Sequence, residues 1–387
     1  MPAGFRHGLR LAGAAASLML AGGCATASLD RARNQFYQGR PEQAVQQLES
    51  VRPSEKDEVL LLMERGMARQ MAEDYRASSL DFMRASNRLE ELQTYSLSRG
   101  GATWAINDTV QNFRGKPYER TLLHAFSALN FIALGAWDSA AVEARRLIET
   151  VRPDVRGDYP DDPFSRYVAG VCFELIHDAS SAAFQYRQLA ELVPGLGVDP
   201  NTGQFTQPDE TAPASADGSH ELICFIMLGR AARGSQILSP ALASRPAGAL
   251  YFEVHADGGF LGRSHTLSDT WHLAAVTEKE EAARRAIKTA ARIAAKEAVA
   301  QSLESQSAEY IDDLVRLVLI GLLEQPDVRS WSTLPRWLHV ARVPCPPGLR
   351  EYELVLKAES GQELSRRAVN RPIQRKGRTY VSFHRQL

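Results

Sequence analysis

A small-to-large side-chain pattern recurs along the first half of this chain, and its spacing restricts the fold more than any other feature. Ala32, Ala44, Leu48 and Val51 are followed 34 residues later by Gly66, Ser78, Phe82 and Ala85. The pattern returns as Ala128, Gly135, Trp137, Ala140, Ala144 and Leu147, and again as Gly170, Ala182, Tyr186 and Leu189 before Pro194. Ala44, Ser78, Ala140 and Ala182 are thus separated by 34, 62 and 42 residues, so two insertions lengthen the array. A period of 34 belongs to the two-helix tetratricopeptide unit. Small residues let paired helices approach closely, and larger ones fill the groove between units. One unit cannot bury its apolar face alone, so stacked helical hairpins are expected over residues 31–194. Gly39-Arg40-Pro41 and Glu73-Asp74-Tyr75 mark turns between paired helices.

The chain starts differently. Arg6 and Arg10 precede an uncharged run from Leu11 to Gly23, with small residues before Cys24. This is the layout of a secretory signal over residues 1–23, and its uncharged run is shorter than the roughly 20 apolar residues a bilayer span needs. Leu20-Ala21-Gly22-Gly23-Cys24 resembles the lipobox of bacterial lipoproteins, although Leu20 stands one place upstream of its commonest position. The resemblance implies cleavage before Cys24, a thioether-linked diacylglycerol on its sulfur, and acylation of the new amino group by a palmitate-type chain. Two or three chains anchor stably where one is marginal. Ala25 stands where an aspartate would imply inner-membrane retention. The implied location is therefore the outer membrane, lipid-anchored and facing the periplasm, with residues 24–30 as a tether.

Loss of Arg6 and Arg10 would leave 43 basic against 46 acidic side chains. A balance so near neutrality does not suit a nucleic-acid partner, which wants a basic surface. Besides Cys24, three cysteines remain (Cys172, Cys224 and Cys345), so one intramolecular disulfide is the most they can form. Cys224 and Cys345 fall in strand-like segments and are the pair to check.

The longer insertion, from Leu89 to Glu119, contains Trp104, Asn107-Asp108 and the run Phe113-Arg114-Gly115-Lys116-Pro117-Tyr118-Glu119-Arg120. Taken with Glu64-Arg65-Gly66, Asp74-Tyr75, Glu143-Ala144-Arg145-Arg146-Leu147, Asp327-Val328-Arg329-Ser330-Trp331 and Pro346-Pro347-Gly348, these motifs resemble an uncharacterised family of tetratricopeptide-like envelope lipoproteins of Gram-negative bacteria. In some genomes its members are encoded beside a lipoprotein activator of penicillin-binding proteins. The resemblance spans nearly the whole mature chain and implies an envelope or cell-wall setting, without an assigned chemistry. Loops of this length are often functional, which makes Trp104, Asn107, Asp108, Arg114 and Tyr118 candidate partner-binding residues. The plainer alternative is that the insertion's aromatic residues only anchor it to the helices.

Residues 195–219, rich in Pro, Gly and acidic side chains, have the composition of a linker or long surface loop. Asp199-Pro200-Asn201-Thr202-Gly203 lacks the full ligand set of a calcium loop and is expected to be a turn. Residues 220–387 are expected to form a small β-sandwich-like module with a helical insertion at about 268–325. Leu222–Met227 is a continuous apolar run suited to a buried strand, and Tyr251–Val254, Trp337–Val343, Tyr352–Leu356 and Tyr380–Phe383 alternate. In the insertion, Ala283, Ile287, Ala290, Ala294 and Ala298 form a stripe beside Arg284, Arg285, Lys288, Arg292 and Lys296. Such a basic amphipathic helix could lie on an anionic membrane, but alanine inserts weakly and the stripe is expected to pack closely against other helices. A second helix is expected over Tyr310–Leu323. Past Glu363 there is no acidic residue, while Arg366, Arg367, Arg371 and Arg375 are among seven cations expected on two adjacent strands. Such a face could meet an anionic glycan or lipid head groups, or simply be solvated.

The whole is thus an α+β chain: an α-helical tetratricopeptide-like solenoid, then the β-module. No H-E-x-x-H, G-x-S-x-G, Walker or C-x-x-C motif occurs, so no enzyme activity, metal or cofactor is expected. The expected role is an anchored scaffold whose helical groove binds an envelope protein and whose β-module binds either a second partner or peptidoglycan. The alternative is a glycan- or anionic-lipid-binding module using the basic C-terminal strands.

Overall fold

The computed structural model describes residues 28–52, 54–98, 112–205, 220–239, 250–302, 327–369 and 374–387. Cys24, Trp104, Asn107, Asp108, Arg371 and the helix expected over 310–323 lie outside them. The chain is a mixed α+β fold. Helices fill its first half: α1 (residues 28–37), α2 (Pro41–Ser50), α3 (Glu58–Met71), α4 (Tyr75–Ser98), α5 (Pro117–Ala133), α6 (Trp137–Val151), the single turn α7 (Pro153–Arg156), α8 (Pro163–Leu175) and α9 (Ala179–Leu192). They pack in chain order as the pairs α3–α4, α5–α6 and α8–α9, and contacts of α4 with α5 and of α6 with α8 join the pairs.

One turn geometry recurs between these helices. Gly39, Glu73, Gly135 and His177 all adopt positive φ, at 74°, 65°, 67° and 63°. At each, the amide of that residue donates to the carbonyl three back, and the next amide to the carbonyl five back, as in Glu73 to Gln70 and Asp74 to Arg69. This is the Schellman helix stop, and its intervals of 34, 62 and 42 residues repeat those of the side-chain pattern. Between the turns the small residues have a steric reason: a Cβ on Gly66 would lie 2.4 Å from the Phe82 ring, and one on Gly170 2.4 Å from Tyr186. His177 is exposed and bears the left-handed penalty that glycine avoids. His177→Gly should therefore raise stability by about 0.5–1 kcal/mol in urea unfolding; a loss would contradict the turn assignment.

Two sheets follow. The first has five strands in the order β4 (His265–Asp269), β5 (Trp337–Cys345), β1 (His220–Leu228), β9 (Thr379–Gln386), β8 (Gln374–Lys376). The second runs β3 (Gly259–Arg263), β2 (Leu250–Ala256), β6 (Tyr352–Ala358), β7 (Glu363–Val369). β1 lies between antiparallel β5 and parallel β9. Its Ile223, Phe225 and Met227 join the core of the helices, whereas Leu222, Cys224, Ile226 and Leu228 join a second core with Phe252, Val254 and Leu354 of the other sheet. Burial on both faces explains why β1 reads as an unbroken apolar run. The order of layers is helices, five-stranded sheet, four-stranded sheet.

One open question is answered, and two details differ from expectation. Cys224 pairs in register with Ala341, and Cys345 with His220, so the two cysteines stand apart; Cys172, Cys224 and Cys345 are free and buried. The helix α10 (Thr270–Ser302) buries its first turns through Thr270, Leu273, Ala274 and Thr277, but Ala283, Ile287 and Ala290 are exposed, Ile287 by 68%. That part of the stripe does not pack closely. Finally, β7 and β8 belong to different sheets, so the C-terminal cations do not share two adjacent strands. Residues 198–205 form a turn, with Asp199 Oδ1 accepting from the Asn201 amide at 2.7 Å, and Phe205 stacks on Tyr167 of α8.

Candidate functional site

The three motif groups at Glu64, Glu119 and Trp331 meet in space. Residues 327–336, outside helix and strand, cross the face presented by α3, α4 and α5. The Trp331 indole is fully buried, edge-on to Phe82 of α4 and Phe126 of α5 at 5.6 and 5.9 Å between centroids. Glu64, fully buried in an otherwise apolar stretch of α3, receives the segment's donors. Its Oε1 accepts from the Ser332 amide at 3.0 Å and the Ser332 hydroxyl at 2.8 Å, and its Oε2 from the Thr333 amide at 3.1 Å. Arg33 of α1 neutralises it, with Nη2 at 2.8 Å from Oε1. On α5, Glu119 accepts from the Trp331 amide through Oε1 and from the Lys116 amide through Oε2, both at 2.7 Å. The Tyr37 hydroxyl donates to the Ser332 carbonyl, and Arg385 Nη2 to the Thr333 carbonyl at 2.9 Å. Further along the same junction, Arg342 of β5 reaches Glu174 of α8 at 2.7 Å, and Ser268 of β4 donates to the buried Asp162. A strip of the chain's own second half therefore occupies the face formed by α3, α4 and α5.

Burial raises the Glu119 carboxyl to about 7, against the two amides that favour its charged form. Its folded value lies above the unfolded one, so its stabilisation is full below about 4.5 and is lost as pH rises through about 7. Histidines act oppositely. Burial, with the His265 charge, lowers fully buried His339 to about 3, and burial with the Arg263 charge lowers His265 to about 4. Their unfolded counterparts take up protons near 6.5, so stability falls as pH drops below that value. Between pH 7 and pH 5 each histidine should cost about 2 kcal/mol and Glu119 return about 2 kcal/mol, a net loss of about 2 kcal/mol. His339→Gln, which keeps a partner for Thr266 Oγ1 at 3.1 Å, should abolish most of that net loss in urea titrations at the two pH values. An unchanged pH dependence would contradict the assignment.

Beside this clasp lies a cleft of about 590 Å³ between α4, α5, α6 and the turn at Tyr159. A second, of about 240 Å³, shares Arg114 and Tyr159 with it. Arg114 is fixed from behind: Phe113 is buried with its amide donating to the Lys56 carbonyl at 2.7 Å, and Gly115 turns the chain at φ 66°. Arg120 projects from the first turn of α5. His124 and Arg146 share Glu143, at 2.9 and 3.0 Å, and Arg156 donates to the Tyr159 carbonyl. No carboxylate among the described residues forms an ion pair with Arg114 or Arg120.

Of the residues singled out from sequence, Arg114 lies in this cleft, whereas Tyr118 is only 5% exposed and packs into the core at the start of α5. Arg366 on β7 bridges Glu353 and Glu363 at 2.8 and 2.9 Å, with Arg367 exposed beside it. Arg375 on β8 donates to the Gly377 carbonyl at 2.7 Å and lies over the Tyr380 ring. Glu64 and Glu119 were not singled out as site residues. Their signal was a carboxylate inside an otherwise buried helical stretch, a placement acidic residues take almost only when paired. Among the described residues no cluster of three or more His, Cys, Asp or Glu side chains is placed to hold a metal ion, and no helix is long and apolar enough to cross a membrane. No family model matches the chain, and no curated protein matches it.

Proposed function

We propose that this protein is a lipoprotein of the outer membrane, anchored through Cys24 and facing the periplasm, that serves as a non-catalytic binding scaffold in envelope or cell-wall assembly. Its helical half is a tetratricopeptide-like solenoid of the kind found in the envelope lipoproteins the chain resembles. The observation that carries the solenoid is the repeated helix stop at Gly39, Glu73, Gly135 and His177, in register with the small-to-large pattern. Anchoring rests on Leu20–Cys24 alone. Binding rather than catalysis is supported by the use made of the buried carboxylates: Glu64, Glu119, Asp81, Glu143 and Asp162 are each engaged by donors that hold elements together. With residues 327–336 across α3, α4 and α5, a partner would meet the Arg114 cleft or the outer helix faces.

Metabolic labelling with palmitate tests the anchor. The expected result is label in the mature chain, lost with membrane association in Cys24→Ser. Unlabelled protein, or a variant that stays membrane-bound, would overturn anchoring. A photo-crosslinker at position 114 should capture an envelope protein, whereas one at position 332 should yield only intrachain products. Capture at 332 and not at 114 would overturn the placement of the binding face.

A further inference from the structure

We propose that Arg114 and Arg120 form a binding site for a phosphate or pyrophosphate ester carried on a partly apolar body. Three observations converge on it, and none depends on the anchored-scaffold reading. First, neither guanidinium has a hydrogen-bond or ion-pair partner among the described residues, and both are only partly exposed. Charges withdrawn from water without a counter-charge are costly, and such groups call for an explanation. Arg114 Nε and Arg156 Nε are moreover fully buried without an acceptor.

Second, the cleft has the size and lining of a small-molecule site. Its roughly 590 Å³ falls within the usual range for ligand pockets. Leu89, Pro117, Val155 and the Tyr159 ring supply apolar wall, while Ser86 and Thr150 add hydroxyls. The two carboxylates that line it are exposed, and Glu149 is already paired with Arg152 at 2.8 Å. Of the four arginines in the lining, Arg146 is paired with Glu143 at 3.0 Å; the other three, with one peripheral carboxylate left unpaired among the described residues, match a dianion better than a single carboxylate. The planar guanidinium also suits bidentate contact with phosphate oxygens.

Third, the charge on Arg120 is held at a cost. Burial, with a smaller push from Arg114, lowers its pKa despite Tyr159, Glu119 and Glu281 nearby. Its place in the first turn of α5 adds the unfavourable end of the helix dipole. A phosphate between the two guanidiniums removes both penalties.

Isothermal titration of the mature full chain with phenyl phosphate, inorganic pyrophosphate and benzoate tests the site. The phosphates should bind, benzoate at least tenfold more weakly, and Arg114→Gln and Arg120→Gln should each weaken phosphate about tenfold, the equivalent of 1.4 kcal/mol. Arg366→Gln, remote from the cleft, should change nothing. Without ligand, Arg120→Gln should unfold at the same temperature as the parent or higher, because an unpaired charge is lost; a structural arginine would lower it. Co-sedimentation with phosphatidylcholine vesicles containing phosphatidic acid separates the sources: binding that requires Arg114 and Arg120 assigns the phosphate to a lipid, and binding of free phosphates alone assigns it to a soluble ester. No binding of any phosphate, equal binding of benzoate, or undiminished binding by both variants would overturn the proposal.

Discussion

Trp331→Ala should destabilise the protein by about 3–5 kcal/mol, the range for removing a large aromatic side chain from a packed core. The indole is fully buried between Phe82 and Phe126 and comes from the second half of the chain, so the loss falls on the contact between helices and sheets. Trp331→Phe separates packing from hydrogen bonding. The indole Nε1 is buried without an acceptor among the described residues, an arrangement costing about 1–3 kcal/mol. Phenylalanine forfeits area but relieves that cost, and should fall within about 1.5 kcal/mol of the parent. Equal losses for both substitutions in urea unfolding would mean that shape alone does not govern the site. A loss under about 1 kcal/mol for alanine would mean the segment is not seated there.

Glu64→Ala should be comparably damaging, about 3–5 kcal/mol, because it strands an ion-pair partner. Arg33 would lose its buried counter-charge, and the Ser332 and Thr333 amides would lose their acceptor. Coupling distinguishes this from a generic core defect. Since Glu64 and Trp331 hold adjacent residues of one strip, the Glu64→Ala, Trp331→Ala double variant should lose less than the two single losses combined. Additive losses would mean that the carboxylate and the indole act on separate structures.

The helical half was legible from side-chain size because the same steric problem is solved repeatedly. Gly66 and Gly170 sit where a Cβ would strike Phe82 or Tyr186, and Ala44, Ser78, Ala140 and Ala182 are all buried. The strands were legible for a similar reason: β1 is apolar throughout because it is covered on both faces. The clasp was not legible. Residues 327–336 have no period, and Ser332 lies 268 residues from Glu64, so neither local pattern nor spacing links them. The stripe on α10 misled because alanine periodicity reports helix, not what covers it; Ile287 is open to solvent. The basic tail misled because cations close in sequence were divided between two sheets. In the cleft, sequence marked Arg114 but not Arg120, whose significance lies in having no partner among the described residues, a property only three dimensions reveal.

Because the helices and the five-stranded sheet share one core, a fragment ending near residue 205 would expose the faces that receive Trp331, Ile223 and Phe225. The full mature chain is therefore the right object for binding work. Amide hydrogen exchange at Trp331, Ser332 and Thr333 tests most directly whether this strip is clamped. These amides, held by Glu119 and Glu64, should exchange as slowly as those of β1, through global unfolding, and Glu64→Ala should speed Ser332 and Thr333. Exchange at the rate of an open loop in the parent protein would contradict the clasp and the union of the two halves built on it.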